Sequence, residues 1–280
     1  MRVFLTGATG FIGSRIVPEL IAAGAEPHRG DLEDLDSLRD GAVKSDAVIH
    51  TAFDHNFSNF VANCEKDKRV IVALGGALAG SDRLLIITSG VGMGSAEHGQ
   101  PAREDVFNTD HPNPRILSEL TGAAMAEKGV KVSVVRLPQV HDTVKQGLIT
   151  PLIAQTRAKG VSAYLGEGRN RWSAAHVLDV AKLYRLALDK QEAGVRYNAV
   201  AEEGIPMREI AEVIGAGLNV PVVSLSQDEA ADHFGWLAMF AGLDLPASSE
   251  WTRAHLGWQP TGPGLIADLK QMDYSQAATA

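Results

Sequence analysis

A chain of 280 residues, 45% hydrophobic and 21% charged, is long enough for one large core, or for a large domain carrying a smaller lobe. Its 26 Lys and Arg against 34 Asp and Glu give a net charge of -8 with no basic cluster, which excludes a surface that tracks a phosphate backbone and hence a nucleic-acid partner. The single cysteine, Cys64, permits neither an internal disulfide nor a thiolate zinc site, and no apolar leader or bilayer-spanning run is visible, so no membrane partner and a reducing cytoplasm are expected.

Along the first half, short β-branched runs alternate with helical stretches, the pattern of a parallel sheet covered on both faces. Strands are predicted over residues 2–6, 25–29, 47–51, 84–89 and 131–137, and helices over 11–23, 34–41, 59–79 and 115–128. The runs Val48-Ile49, Leu84-Leu85-Ile86-Ile87 and 132–135 are almost continuously apolar, as strands buried on both faces are. After Pro138 the pattern loosens into helices 148–159 and 177–190, a strand 195–200, and helices 207–218 and 227–235. Residues 242–263, rich in Gly, Pro, Ser and Trp, read as a loop-rich cover. The expected class is α/β: a Rossmann-type doubly wound parallel sheet carried by residues 1–140 with 176–200, and a smaller substrate-binding lobe from 141–175 with 201–280. Phe234, Trp236, Phe240, Trp251 and Trp258 are expected in the core of that lobe, some of them lining an apolar substrate pocket.

The first strand runs directly into Thr6-Gly7-Ala8-Thr9-Gly10-Phe11-Ile12-Gly13. Gly7 permits a tight turn, Gly10 lets the backbone approach a pyrophosphate, and Gly13 lets the following helix pack closely on the strand. The helix N-terminus then points free N–H groups at the anion. Thr9, Phe11 and Ile12 thus join the three glycines as candidate contacts to a dinucleotide, NAD or NADP.

This spacing resembles the extended short-chain dehydrogenase/reductase superfamily and its NAD-dependent epimerase/dehydratase relatives, and further matches follow in order. Gly30-Asp31-Leu32 looks like the adenine-contacting G-D-L of the family, and Thr51-Ala52-Phe53 is similar to the segment beside the cofactor ribose. Thr88-Ser89-Gly90 resembles the segment that keeps the family's catalytic Ser or Thr, which implies Ser89. Arg136-Leu137-Pro138-Gln139-Val140 is similar to the R-x-P-x-V beside the nicotinamide, which implies Pro138 as a contact. The run 172–179 resembles the W-x-x-x-H-V-x-D that returns the chain to the sheet, His176 orienting it. The resemblance covers nearly the whole chain, implies a small-molecule substrate, and allows a homodimer packed through helices 59–79 and 115–128.

Two departures matter. The family places roughly 20–25 residues, a strand and its helix, between the first helix and the G-D-L strand; here Gly24 is followed at once by residues 25–31, one unit short. Asp31, eighteen residues past Gly13, accordingly has three readings: a ribose-binding carboxylate, an adenine contact, or a cap for the helix beginning near Asp34. Arg29 would suit a 2′-phosphate, so NAD and NADP both stay open.

The second departure is catalytic. The family's Y-x-x-x-K corresponds here to Arg115-Ile116-Leu117-Ser118-Glu119, and none of Tyr164, Tyr184, Tyr197 and Tyr274 is followed four residues later by Lys. An arginine donates no proton near neutral pH, so the usual hydride mechanism does not apply. Candidates to replace it are Ser89 on a substrate oxygen, Arg115 on a carboxylate or enolate with Glu119 shuttling a proton, His141 as acid or base, and the pair Asp54-His55. The plain alternative for Arg115 and Glu119 is a surface ion pair at helical spacing. His50, His55, His98, His111 and His141 share no ligand spacing, so no metal is expected. The function expected is an NAD(P)-dependent oxidoreductase of atypical mechanism on a small or medium apolar carbonyl or alcohol. The alternatives are a nonredox isomerase, lyase or cyclase, and a dinucleotide sensor without turnover.

Overall fold

A computed structural model of the chain describes residues 1–22, 32–97 and 99–275. The strand expected over 25–29, with Arg29 and Asp31, lies outside them, as does His98. The first half runs β1 (Val3–Thr6), α1 (Gly13–Ala22), α2 (Leu35–Val43), β2 (Ala47–His50), α3 (Phe60–Leu78), β3 (Leu84–Gly90), α4 (Ile116–Glu127) and β4 (Lys131–Leu137). The side chain of Asp34 caps α2, accepting from the N–H groups of Asp36 and Ser37 at 3.1 Å. That helix therefore needs no cap from Asp31.

The second half runs β5 (Gln139–His141), α5 (Ile149–Lys159), β6 (Ser162–Leu165), β7 (Arg171–His176), α6 (Val177–Lys190), β8 (Arg196–Asn198), β9 (Glu202–Pro206), α7 (Met207–Leu218) and β10 (Val222–Leu225). It ends with α8 (Gln227–Phe234), α9 (Ala238–Ala241), α10 (Glu250–Leu256) and α11 (Leu265–Gln271). His176 turns the chain into α6 by accepting from the N–H of Leu178.

Among the described residues the main sheet has the order β1-β2-β3-β4-β8, and every neighbouring pair is parallel. All five strands consequently end at one edge, where open α/β sheets bind ligands. Alternation divides their side chains: Val3, Leu5, Ile49 and Ile86 pack with α1 and α6, while Phe4, Val48, Leu85 and Ile87 pack with α2, α3 and α4. A second core under the lobe gathers Trp172, Ile205, Ile210, Phe234 and Phe240. Around it lie a β5-β7-β9 sheet and a parallel β6-β10 pair.

Two expectations about the aromatic residues are corrected. Trp258 leaves the lobe for the first core, where its indole N–H donates to the Asp179 carbonyl at 2.9 Å. Trp236 and Trp251 stay 39% and 41% exposed, so neither is a core residue. Among the described residues no helix is long and apolar enough to cross a membrane.

Candidate active site

At the C-terminal edge of the sheet, β1 delivers the chain into the glycine turn. Gly7 has φ of +76°, and a Cβ there would lie 2.8 Å from the Ala52 nitrogen. The turn is thus pressed onto the segment after β2, to which it is fastened by Thr51 Oγ1 donating to the Thr6 carbonyl at 2.7 Å. A Cβ on Gly13 would stand 2.1 Å from the Gly7 carbonyl oxygen, so only glycine lets α1 start there. Gly10 differs: it is exposed, and a Cβ would meet, among the described residues, only the Gly7 oxygen at 3.2 Å.

The N–H groups of Phe11, Ile12 and Gly13 have no acceptor among the described residues, and the first turn of α1 carries no acidic side chain. The exposed backbone at Gly10 and the unopposed N–H groups fit a pyrophosphate. Beside the turn, Leu32, Ala52 and Phe53 share the wall of a shallow depression with Asp54, Asn63, Lys66 and Asp67. Thr9 is exposed, Phe11 and Ile12 are half-buried against the first core, and Pro138 is half-buried between β4 and β5.

Beneath this surface a buried polar chain leads from the turn to Arg115. Thr6 Oγ1 accepts the N–H of Ala52 at 3.3 Å and is hydrogen-bonded to His50 Nδ1 at 2.6 Å. Facing an ionised carboxylate, His50 Nε2 donates to Asp67 Oδ1 at 2.9 Å. The other oxygen of Asp67 accepts from Ser118 Oγ and Arg115 Nη1, both at 2.6 Å. Burial alone would raise the Asp67 carboxyl; the charge of Arg115 and the hydrogen bonds from His50 and Ser118 outweigh it and hold the group well below the usual carboxylate range.

Arg115 also donates to Ser118 Oγ and, through Nη2, to the Thr88 carbonyl at 2.9 Å, with its guanidinium 4.2 Å above the Phe53 ring. The Arg115 and Glu119 pair considered from spacing is not formed. Glu119, 1% exposed, turns the other way: Arg136 Nε and Nη2 donate to its two oxygens at 2.8 Å, and Arg196 adds a third bond at 3.0 Å.

Ser89, 3% exposed at the end of β3, has an Oγ with no partner among the described residues, one position beyond the Thr88 carbonyl that holds Arg115. Tyr184 is no substitute acid. It is fully buried, its hydroxyl is tied to Thr88 Oγ1, and burial pushes it above the ordinary phenol range.

The remaining candidates separate. His141 is fully buried with Nδ1 2.7 Å from Asp268 Oδ2 on α11, and burial lowers its imidazole against the opposing pull of Asp268. Its described contacts run to α11 and β9 rather than to the glycine turn. Asp54 is engaged by the Asn56 N–H and Lys66, not by His55. His55 is itself exposed, yet the walls about it, Arg115 and Lys145 hold its imidazole below the ordinary value. Burial pushes the Cys64 thiol up to about 11, which leaves it unreactive. Among the described residues no group of three or more His, Cys, Asp and Glu is arranged to hold a metal ion.

Comparison with known proteins places these features. The model of the NAD dependent epimerase/dehydratase family matches residues 3–200. The "uncharacterized protein C2A9.02" of Schizosaccharomyces pombe is 44% identical over 295 positions, spanning 98% of this chain and 100% of that one. "Uncharacterized protein YLL056C" of Saccharomyces cerevisiae is 40% identical over 293 positions, spanning 96% and 98%. Thermus thermophilus UDP-glucose 4-epimerase, solved in complex with NAD, superposes with a TM-score of 0.74 at 21% identity, covering 99% of this chain and 100% of that one. Because 98% of this chain is about 274 residues, about 21 aligned positions of the S. pombe protein have no counterpart here.

Proposed function

The chain belongs to the NAD dependent epimerase/dehydratase family, and we propose that it is an NAD(P)-dependent oxidoreductase of a small or medium carbonyl or alcohol compound, working without a tyrosine acid. The observation that carries this reading is the buried Ser89 Oγ, without a partner among the described residues, one position along β3 from the Thr88 carbonyl that holds Arg115. A buried hydroxyl left unmatched costs on the order of 1–3 kcal/mol, and a substrate oxygen seated there removes that cost.

A dinucleotide held at Gly7, Gly10 and Gly13 would supply or accept the hydride. Ser89 orients the substrate oxygen, and Arg115, fixed by Asp67 and Ser118, stabilises the negative charge that grows on it. Arg115 keeps its own protons; proton exchange is assigned to His55, exposed, its ring edge-on to the Phe53 ring that lies under Arg115. Glu119 and His141 take no part, the first locked by two arginines and the second turned to Asp268.

Calorimetric titration with NAD, NADH, NADP and NADPH is expected to give saturable binding of at least one form. Gly10→Asp puts a carboxylate over the turn, its Cβ 3.2 Å from the Gly7 carbonyl oxygen, and should weaken that binding by at least about tenfold, with Gly10→Ala, which carries the same Cβ and no charge, as the control for any loss of Tm. Absence of binding by all four forms sinks the reading. Ser89→Ala should lower kcat by about 100-fold while leaving dinucleotide affinity intact.

One observation favours a second reading, isomerase or lyase chemistry without net redox change. Arg115 is a fixed cation suited to an enolate, in a site where neither a Tyr nor a Lys stands at the family's positions. Substrate turnover with constant nicotinamide absorbance would select it.

A further inference from the structure

We infer that the substrate is a flat, ring-bearing carbonyl or alcohol compound lying against an aromatic wall of Phe53, Phe57 and Trp236, and not a nucleotide sugar. The reaction rests on the oxidoreductase reading above; the binding does not. The segment after β2 carries Phe53, Phe57 and Phe60 at spacings of four and three, and short 3-10 turns at Phe57–Asn59 and Gly235–Leu237 meet where Phe57 touches Trp236. Phe57 and Trp236 stack with centroids 4.6 Å apart and planes 7° apart, and Phe240 meets the Phe57 ring edge-on at 5.7 Å. Phe53 continues the wall inward, packing edge-on against Phe60 at 6.2 Å and lying under Arg115 at 4.2 Å. The wall therefore runs from the reacting end, where Arg115 sits, to Trp236, whose ring is 39% exposed.

Charge separates the two substrate classes. Residues 227–245 hold Asp228, Glu229, Asp232 and Asp244 and no Lys or Arg. Of the lobe's own cations, Arg171 is paired with Asp244 at 2.8 Å; Arg115, held by Asp67 at 2.6 Å, is taken up by the reacting oxygen. A sugar diphosphate needs unspent cations or N–H donors along its length, and this wall of the lobe supplies carboxylates. An aromatic ring needs only faces and edges, and each good ring pair is worth roughly 3- to 10-fold in affinity.

The test uses the full-length protein, with benzylacetone, a straight-chain ketone of equal carbon count, and UDP-glucose as probes, each followed by calorimetry and saturation-transfer NMR with and without NADH. Benzylacetone is expected to bind tightest of the three in both conditions. Trp236→Ala should weaken it roughly 3- to 10-fold, Trp236→Phe should restore it, and neither should move the affinity for the straight-chain ketone or for NADH. Tighter binding of UDP-glucose, or a Trp236→Ala loss shared by the straight-chain ketone, overturns the inference. So does a Trp236-dependent dimer in sedimentation without ring binding, which would give this face to a second copy. Trp236-dependent ring binding in a protein that binds no dinucleotide would remove the oxidoreductase reading and leave this inference standing.

Discussion

Glu119→Lys, the exchange that returns α4 to the lysine of the family's catalytic pair, is expected to abolish the folded protein rather than improve its chemistry. Glu119 and Arg136 are both fully shielded from water, and the carboxylate also holds Arg196. Removing one partner of such a pair costs about 3–5 kcal/mol, because the other charge stays buried and unmatched. That is a large share of a typical stability of about 5–15 kcal/mol. Lysine goes further and sets a third cation among two arginines. Glu119→Gln keeps the shape and loses the charge; its Tm should fall by roughly 6–20 °C for the same 3–5 kcal/mol. A soluble Glu119→Lys variant melting like the parent would refute this account of α4.

The second large effect is expected at Asp67. Asp67→Asn leaves Arg115, His50 and Ser118 without their common anion, at a cost on the order of 3 kcal/mol. The pH dependence of stability gives an independent check. Because the folded-state carboxyl titrates below its unfolded value, near 3.9, its stabilisation is complete above about pH 5 and is lost as pH falls below about 4. Urea midpoints of the parent should decline across that acid range, and those of the Asn variant should decline less. Equal slopes for the two proteins would show that Asp67 is not held ionised by Arg115.

Much of this architecture was legible in the residues. Strands buried on both faces must be almost wholly apolar, and the run Leu84 to Ile87 announces one; the three glycines after β1 allow few other conformations. The lobe strands were not legible. They are three to six residues long and half polar, as in Glu202–Pro206, which reads E-E-G-I-P and carries no period.

Asp67 was half-legible, as a carboxylate on the stripe Cys64, Ile71, Leu74 and Leu78 of α3. Its partner Arg115 lies 48 residues away, and only the sheet brings the two helices together. The spacing of Arg115 and Glu119 misled for a local reason: Arg115 occupies the cap position of α4 and sits ahead of the helical turn that the spacing rule assumes.

Trp258 has a consequence for synthesis. Its side chain fills a place in a core whose other fully buried residues lie between Val3 and Ala199, with Leu256 packed against them. During translation that core stays incomplete until the indole has left the ribosome, so the first 200 residues wait for about 60 more, roughly 3–12 s at ~5–20 residues per second. Through that interval the apolar faces around α1 and α6 are uncovered in a chain that already contains every strand of the main sheet, and yield in a cell rests on whatever holds the nascent chain until the tryptophan arrives.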